Sequence, residues 1–279
     1  MHERFTLVLG GTGKTGRRVG ERLWARGLPV LIGSRSGTPP FDWEDRTTWA
    51  PALRGARAAY VSYYPDLAAP GAPEAVGALA AEAAAAGVER LVLLSGRGED
   101  EAQRSEATAA EADVDLTVVR ASWFAQNFSE GYLLEPVLAG EVALPVGDVP
   151  EPFIDVDDIA DVAVAALTED GHAGRLYEVT GPRALTFAEA VEEIGRATGS
   201  AIRHVQIPLD AFAEGMAAEG APPDVVALVS YLFGEVMDGR NVGTADGVRE
   251  ALGRQPRDFA DWARATAAAG AWSVAPARR

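Results

Sequence analysis

The sequence has 279 residues, 41 Asp plus Glu against 25 Lys plus Arg, a formal charge of -16, and no cysteine. Its length suits one large domain or two modest ones, and a 48% hydrophobic content supplies a substantial core, so a wholly disordered chain is excluded. The missing cysteine excludes a disulfide framework, an iron-sulfur cluster, a thiolate zinc site and a cysteine nucleophile. The acidic excess argues against nucleic acid or an anionic membrane as partner, because each phosphate contact wants Lys or Arg from a clustered basic face.

In chain order, Met1 to Arg4 followed by the apolar run 5–9 lack the basic region and long apolar stretch of a secretory signal. The run 78–94 is Ala-rich but carries Glu82, Glu89 and Arg90, which falls short of a membrane span. A soluble, cytoplasmic protein is the expectation. Short β-branched or Leu-rich runs at 5–9, 30–32, 58–62, 91–94 and 116–119 read as strands buried on both faces. Between them, 15–26, 48–54, 73–86 and 101–112 read as helices. The alternation predicts βαβ units, hence an α/β fold with a doubly wound parallel sheet covered on both sides. The segment 69–73, Ala-Pro-Gly-Ala-Pro, reads as a loop. Further on, 186–198 carries Phe187, Ala190, Val191 and Ile194 at helical spacing, with Thr186 as N-cap and Glu189 three residues later. From Pro208 helical pieces are broken by Gly and Pro and end in an Arg- and Ala-rich tail, which reads as a smaller α-rich cap. The expected division is a dinucleotide-binding domain over 1–154, a return helix and strand from 155–181, and a mainly helical substrate cap over 182–279.

The first strand runs directly into Gly10-Gly11-Thr12-Gly13-Lys14-Thr15-Gly16 and the first helix. Gly11, Gly13 and Gly16 fit G-x-G-x-x-G, and Gly10, Gly13 and Gly16 fit its G-x-x-G-x-x-G variant. Glycine tolerates the tight turn, lets the backbone approach a pyrophosphate, and leaves helix N-terminal N–H groups aimed at it. Gly13-Lys14-Thr15 imitates the end of a nucleotide triphosphatase loop. That motif needs a Gly at position 8, which is Val8, so the kinase or ATPase reading fails on spacing.

The residue at the end of the second strand discriminates between dinucleotides, since an acid there holds the ribose 2′-OH and repels a 2′-phosphate. This chain has Gly33-Ser34-Arg35-Ser36 instead, an Arg with flanking hydroxyls suited to a 2′-phosphate. Lys14 and Arg17 add charge from the turn and helix, and the expected cofactor is NADP(H). Phe41-Asp42-Trp43 sits where the third strand of such a fold delivers residues to the adenine: Asp42 to accept from the exocyclic amine, Trp43 to pack on a ring or to fill the core. Ser62-Tyr63-Tyr64-Pro65 and Ser95-Gly96 follow later strands at the carboxyl edge, where ligands bind in open α/β folds. Ser62, Tyr63 and Ser95 are therefore cofactor-site candidates as well.

With these pieces placed, the chain resembles the NmrA-like group of atypical short-chain dehydrogenases/reductases. The resemblance rests on the Gly10 to Gly16 turn, on Arg35, and on Leu116-Thr117-Val118-Val119-Arg120 followed by Trp123-Phe124-Ala125-Gln126-Asn127-Phe128. It extends through Phe153-Ile154-Asp155-Val156-Asp157-Asp158-Ile159-Ala160 and Tyr177-Glu178-Val179-Thr180-Gly181. Phe41-Asp42-Trp43 with Thr48 looks most like the festuclavine and agroclavine dehydrogenase branch. The resemblance implies an extended Rossmann domain, NADP(H), and a substrate pocket between sheet and cap. It also implies one of two functions: NADPH-dependent reduction of quinones, azo compounds, imines or activated double bonds, or non-catalytic sensing of the NADP redox state.

Ordinary short-chain dehydrogenases pair Tyr with a Lys four residues on. Four residues after Tyr60, Tyr63, Tyr64, Tyr132, Tyr177 and Tyr231 stand Tyr64, Leu67, Ala68, Pro136, Gly181 and Glu235. The chain's single Lys is Lys14, in the glycine turn, so the usual alcohol dehydrogenase mechanism is excluded. Hydride transfer to a small planar electrophile remains, with Tyr63, Tyr64, Ser95 and Tyr132 as candidate proton donors. Trp123 and Phe124 suit a planar substrate or fill the seam between domain and cap. Asn127 is a candidate for orienting the nicotinamide carboxamide, or a helix cap. Asp155, Asp157 and Asp158 read as capping and dipole complementation of a helix start, not a metal cluster. His2, His172 and His204 share no ligand spacing, and no G-x-S-x-G hydrolase elbow occurs. The expected partner is a small-molecule substrate, and the expected state monomer or homodimer.

Overall fold

A computed structural model describes residues 4–273; His2 and the last residues of the Arg- and Ala-rich tail lie outside them. In chain order the elements are β1 (Phe5–Leu9), α1 (Lys14–Ala25), β2 (Val30–Gly33), α2 (Trp49–Leu53), β3 (Ala56–Val61), α3 (Ala72–Ala85), β4 (Arg90–Gly96), α4 (Asp100–Ala109) and β5 (Asp115–Ala121). Next come α5 (Asn127–Glu130), α6 (Leu134–Ala139), β6 (Glu141–Leu144), α7 (Val156–Thr168), β7 (Leu176–Val179), α8 (Phe187–Thr198) and β8 (Arg203–Gln206). The chain finishes with α9 (Leu209–Ala218), α10 (Pro223–Tyr231), α11 (Gly247–Leu252) and α12 (Phe259–Ala268). No described helix is long and apolar enough to cross a membrane.

The chain forms two compact units. The first comprises 1–121, 156–179 and 246–255, and the second 122–155, 180–245 and 256–279. In the first unit, the described residues form a six-stranded sheet of order β2-β1-β3-β4-β5-β7, with every pair parallel. Alternation along the strands sends Leu7, Leu9, Ala59, Val61, Leu91 and Leu93 to one face, where they cluster with Val76, Leu79 and Ala83 of α3. On the other face α1 packs on α7, and Arg22 reaches Asp161 at 2.6 Å and Asp157 at 2.7 Å. α7 also lies against β3, β4 and β5.

Two expectations change here. Residues 41–43 lie in a loop, because their aromatic rings pack together instead of pairing as a strand. The units also divide differently from 1–154 and 182–279. Residues 122–155 carry Phe128, Val142 and Phe153 into the second core, while α11 returns to the sheet, where Gly247 has no side chain to collide with the backbone of Glu178.

In the second unit, β6 and β8 form a parallel pair. Its core holds Phe128, Phe153, Phe187, Phe233, Phe259, Trp262 and Trp272. Trp123 joins this cluster, 4.9 Å from the Phe233 ring centroid. Thr186 caps α8 as the sequence suggests: its hydroxyl accepts from Glu189 N–H at 3.1 Å, and the Glu189 carboxylate accepts from Thr186 N–H at 2.8 Å.

Candidate functional site

All six strands of the sheet are parallel, so their carboxyl ends share one edge. The chain order reverses between β1 and β3, because β2 lies on one side of β1 and β3 on the other. In open α/β sheets that reversal opens the ligand crevice.

The glycine turn stands at the end of β1. Gly13 N–H donates to Gly10 O at 2.9 Å, and Gly13 is the N-cap of α1, so no side chain caps the helix start. Its glycines are sterically required. Gly10 has φ +70° and a Cβ there would lie 2.9 Å from Ser62 Cβ; a Cβ on Gly16 would overlap Gly10 O and lie 2.9 Å from Gly11 Cα. A Cβ on Gly11 would meet Ile32 Cγ2 at 2.7 Å. Strand, turn and helix are thus drawn closer than any side chain permits, and the resulting cradle fits a pyrophosphate. Thr12 and Gly13 are exposed at its lip, Lys14 is half-buried, and Thr15 is buried beneath it. Arg18 belongs to the fold instead: Nε lies 3.2 Å from Asp157 Oδ1.

Past β2, Arg35 and Ser36 are exposed and Ser34 is half-buried. Arg35 makes no ion pair with the described residues, in a chain where most arginines do. Asp42 is half-buried, and its carboxylate accepts from Glu44 N–H at 3.1 Å. Trp43 packs 4.7 Å from the Tyr63 ring and 5.7 Å from Trp49, so it belongs to an aromatic cluster at this edge.

Of the residues proposed as proton donors, three lie on the sheet unit. Tyr64 is 73% exposed. Tyr63 is half-buried, and burial together with Glu44 and Glu74 pushes its phenol up, so it keeps its proton. Ser95 is buried, and its hydroxyl donates to Glu106 Oε1 at 2.5 Å. Glu106 in turn receives Arg120 Nη2 at 2.5 Å, and Arg120 Nη1 reaches Glu178 at 2.9 Å. That chain of partners holds Ser95 in place. Asn127 and Tyr132 lie on the second unit. Tyr132 is 44% exposed, and half-buried Asn127 is the first residue of α5, with Gln126 as the N-cap. Gln126 donates to Asp155 at 2.6 Å.

Asp155, Asp157 and Asp158 take separate arginines: Arg257, Arg22 and Arg254, at 3.2, 2.7 and 2.5 Å. Sequence reading missed the carboxyl pair Glu99 and Asp66 on this edge. Glu99 is only 9% exposed and lies over Gly96, where a Cβ would overlap Oε1 and stand 2.8 Å from Oε2. Burial first, then Asp66 and Glu106, push its carboxyl well above the usual carboxylate range. Burial likewise raises Asp66, whose Oδ1 accepts from Ala68 N–H at 2.9 Å. The available signal was a Gly at a strand end three residues before an acid.

No family model matches the chain. Among curated proteins, it is 31% identical to the uncharacterized oxidoreductase YesF of Bacillus subtilis, over 96% of this chain and 97% of that protein. It is 31% identical to the NAD(P)H azoreductase of Xenophilus azovorans over 94% of this chain and 98% of the relative. Identity with the agroclavine dehydrogenase of Claviceps fusiformis is also 31%, over 92% and 95% of the two chains. Among solved structures, the fold matches Citrobacter sp. triphenylmethane reductase complexed with NADP(H) at TM-score 0.74 and 16% identity, over 94% of this chain and 99% of that one. It matches the negative transcriptional regulator NmrA at TM-score 0.68 and 17% identity, over 96% and 98%. With a doubly wound parallel sheet, the glycine cradle and relatives aligned end to end, the chain belongs to the NmrA-like group of atypical short-chain dehydrogenases/reductases.

Proposed function

We propose that the protein is an NADPH-dependent reductase that transfers hydride to a small planar electrophile: an iminium, a quinone, an azo compound or an activated double bond. The observation that carries this reading is the glycine cradle at the sheet's reversal point with Arg35, exposed and without an ion-pair partner among the described residues, standing where an acid would select NAD. The family resemblance, and relatives named as an azoreductase and a clavine dehydrogenase, support the same class.

In this reading the backbone of Gly11, Thr12, Gly13 and Lys14 and the start of α1 hold the pyrophosphate. Ser34, Arg35 and Ser36 hold the 2′-phosphate, Asp42 and Trp43 flank the adenine, and Ser62 and Tyr63 line the crevice between β1 and β3. The bound nicotinamide supplies hydride. The chain supplies proximity and a fixed approach, the larger part of what a hydride transfer needs when the acceptor is already electron-poor.

NADPH should bind more tightly than NADH, and Arg35→Ala should weaken NADPH about tenfold to a hundredfold while leaving NADH nearly unchanged, since one charge-assisted contact is lost. Fluorescence titration of both cofactors measures this, and equal affinities in the wild type would sink the NADPH assignment. A panel of iminium, quinone, azo and enone acceptors followed by NADPH consumption tests catalysis. Tight cofactor binding with no turnover on the whole panel, together with a cofactor-dependent partner, would replace the reductase by a redox sensor.

A further inference from the structure

Two-electron reduction of a neutral double bond needs a proton as well as hydride, and the residues first nominated to give it are poorly placed. Ser95 is committed to Glu106, and no Tyr has a Lys to lower its pKa. The edge nevertheless holds an acid with a proton to give. After β4, the turn Arg97-Gly98, with Gly98 at φ +74°, swings the chain back so that Glu99 folds over the strand end. Gly96 lacks the side chain that would occupy the place of the carboxyl. Glu99 is about nine-tenths buried, and its Oε2 is enclosed with no hydrogen-bond partner. Its charged neighbours are acidic: Asp66 from the loop after β3, and Glu106 from its own helix. Arg120 of β5 faces the same cluster and is bound to Glu106 and Glu178, and Arg97 lies 3.4 Å from Glu178. Glu74 of α3 acts on Tyr63. Burial and a second acid beside it both oppose ionisation of Glu99, which favours its protonated form.

We propose that Glu99 is the acid of this site: a protonated carboxyl held by Asp66 over Gly96, at the carboxyl end of β4, that protonates the acceptor atom left electron-rich by hydride. This rests on the reductase reading and adds the missing proton to it. For an azo bond, hydride adds to one nitrogen and the π pair collapses onto the other. The Glu99 O–H bond breaks, an N–H bond forms, and Glu99 is left as carboxylate until solvent returns a proton. The net change is azo compound plus NADPH plus one proton to hydrazine plus NADP⁺. Asp66 is a positioning residue, because it holds the proton on Glu99 and does not pass it to the acceptor.

The decisive comparison pairs an azo dye, which needs hydride and a proton, with a cationic triarylmethane dye, which becomes neutral on taking hydride alone. In Glu99→Gln, azo reduction should fall by about a hundredfold or more, the range of general acid catalysis, while triarylmethane reduction stays within about threefold. Gly96→Ala, which displaces the carboxyl, should reproduce the selective loss. Asp66→Asn removes the neighbouring acid, lowers the Glu99 pKa, and should move the alkaline fall of azo reduction to lower pH. Independently of turnover, the infrared C=O stretch of a protonated carboxyl should be present in wild-type protein at neutral pH and absent from Glu99→Gln. Equal loss on both dyes, no loss on either, or no protonated carboxyl in the wild type overturns the proposal while leaving the reductase standing. If wild-type protein oxidises NADPH with neither dye and with no acceptor of the wider panel, the reductase reading fails and the acid falls with it.

Discussion

The two units solve the same problem, burying enough surface, with different residues. The sheet unit packs Ala52, Ala56, Ala59, Ala80 and Ala83 among Leu and Val in a buried cluster with two aromatics, Phe41 and Trp49, and buries Tyr60 and Tyr177 outside it. The corresponding cluster of the second unit contains seven. The difference follows the size of the sheet in each unit, six strands against two. α1, α3 and the parallel strands offer long regular surfaces on which small side chains bring helix and sheet close together, and a close fit fixes the edge that carries the ligand groups. The second unit is built of a two-stranded sheet and pieces as short as the four residues of α5. Without a broad sheet to pack on, this unit buries enough surface only if each core residue contributes a large area, which aromatic rings do.

The largest effect should come from cutting into that aromatic core. Phe187 is fully buried, with ring centroids of Phe153 at 5.1 Å and Trp123 at 5.8 Å. Phe187→Ala should cost about 4 kcal/mol, read by denaturant unfolding, and a cost near that of trimming one methylene would break the contrast between the cores. On the sheet unit the vulnerable point is ionic. Arg120→Ala strands the buried Glu106 carboxylate beside Ser95 and should cost about 3 kcal/mol, measured in the same way. A loss under about 1 kcal/mol would mean that Glu106 is reached by water and that Ser95 is less fixed than its contacts indicate.

A smaller effect sharpens the account of the edge. The Glu99 pKa is raised in the fold, so the native state binds more protons than the unfolded chain between the ordinary carboxylate value and the raised one. Its contribution is full below the unfolded value and declines as pH rises toward the folded one. Glu99→Gln carries no such decline, so its melting temperature relative to wild type should increase from about pH 5 to about pH 8. A flat difference would show that Glu99 ionises normally.

The features legible in the sequence are those whose causes are local. β1 is recovered residue for residue and α8 with its capping box, because alternation, helical spacing and a three-residue cap all act over one or two turns. The glycine turn is legible because its spacing is local, although the turn itself crowds only Gly13 and Gly16; Gly10 and Gly11 are crowded by Ser62 and Ile32. Glu99 belongs to no motif, and its meaning depends on Asp66, thirty-three positions earlier and brought near only when β3 and β4 pair. The return of α11 to the sheet is hidden likewise, since Gly247 looks like any other glycine until Glu178 lies beneath it. The order of such a fold places residues 41–43 at a third strand, and the segment is a loop whose rings pack on one another.

The first residue of α1 is the chain's only side-chain amine. Apart from three histidines, every other basic side chain is a guanidinium, which acylating reagents do not touch at neutral pH. Amine chemistry therefore addresses this protein at one side chain, and that side chain stands at the lip of the glycine cradle. The extent of acylation at Lys14, read by peptide mass, becomes a direct gauge of whether the cradle is filled, independent of any reaction that follows.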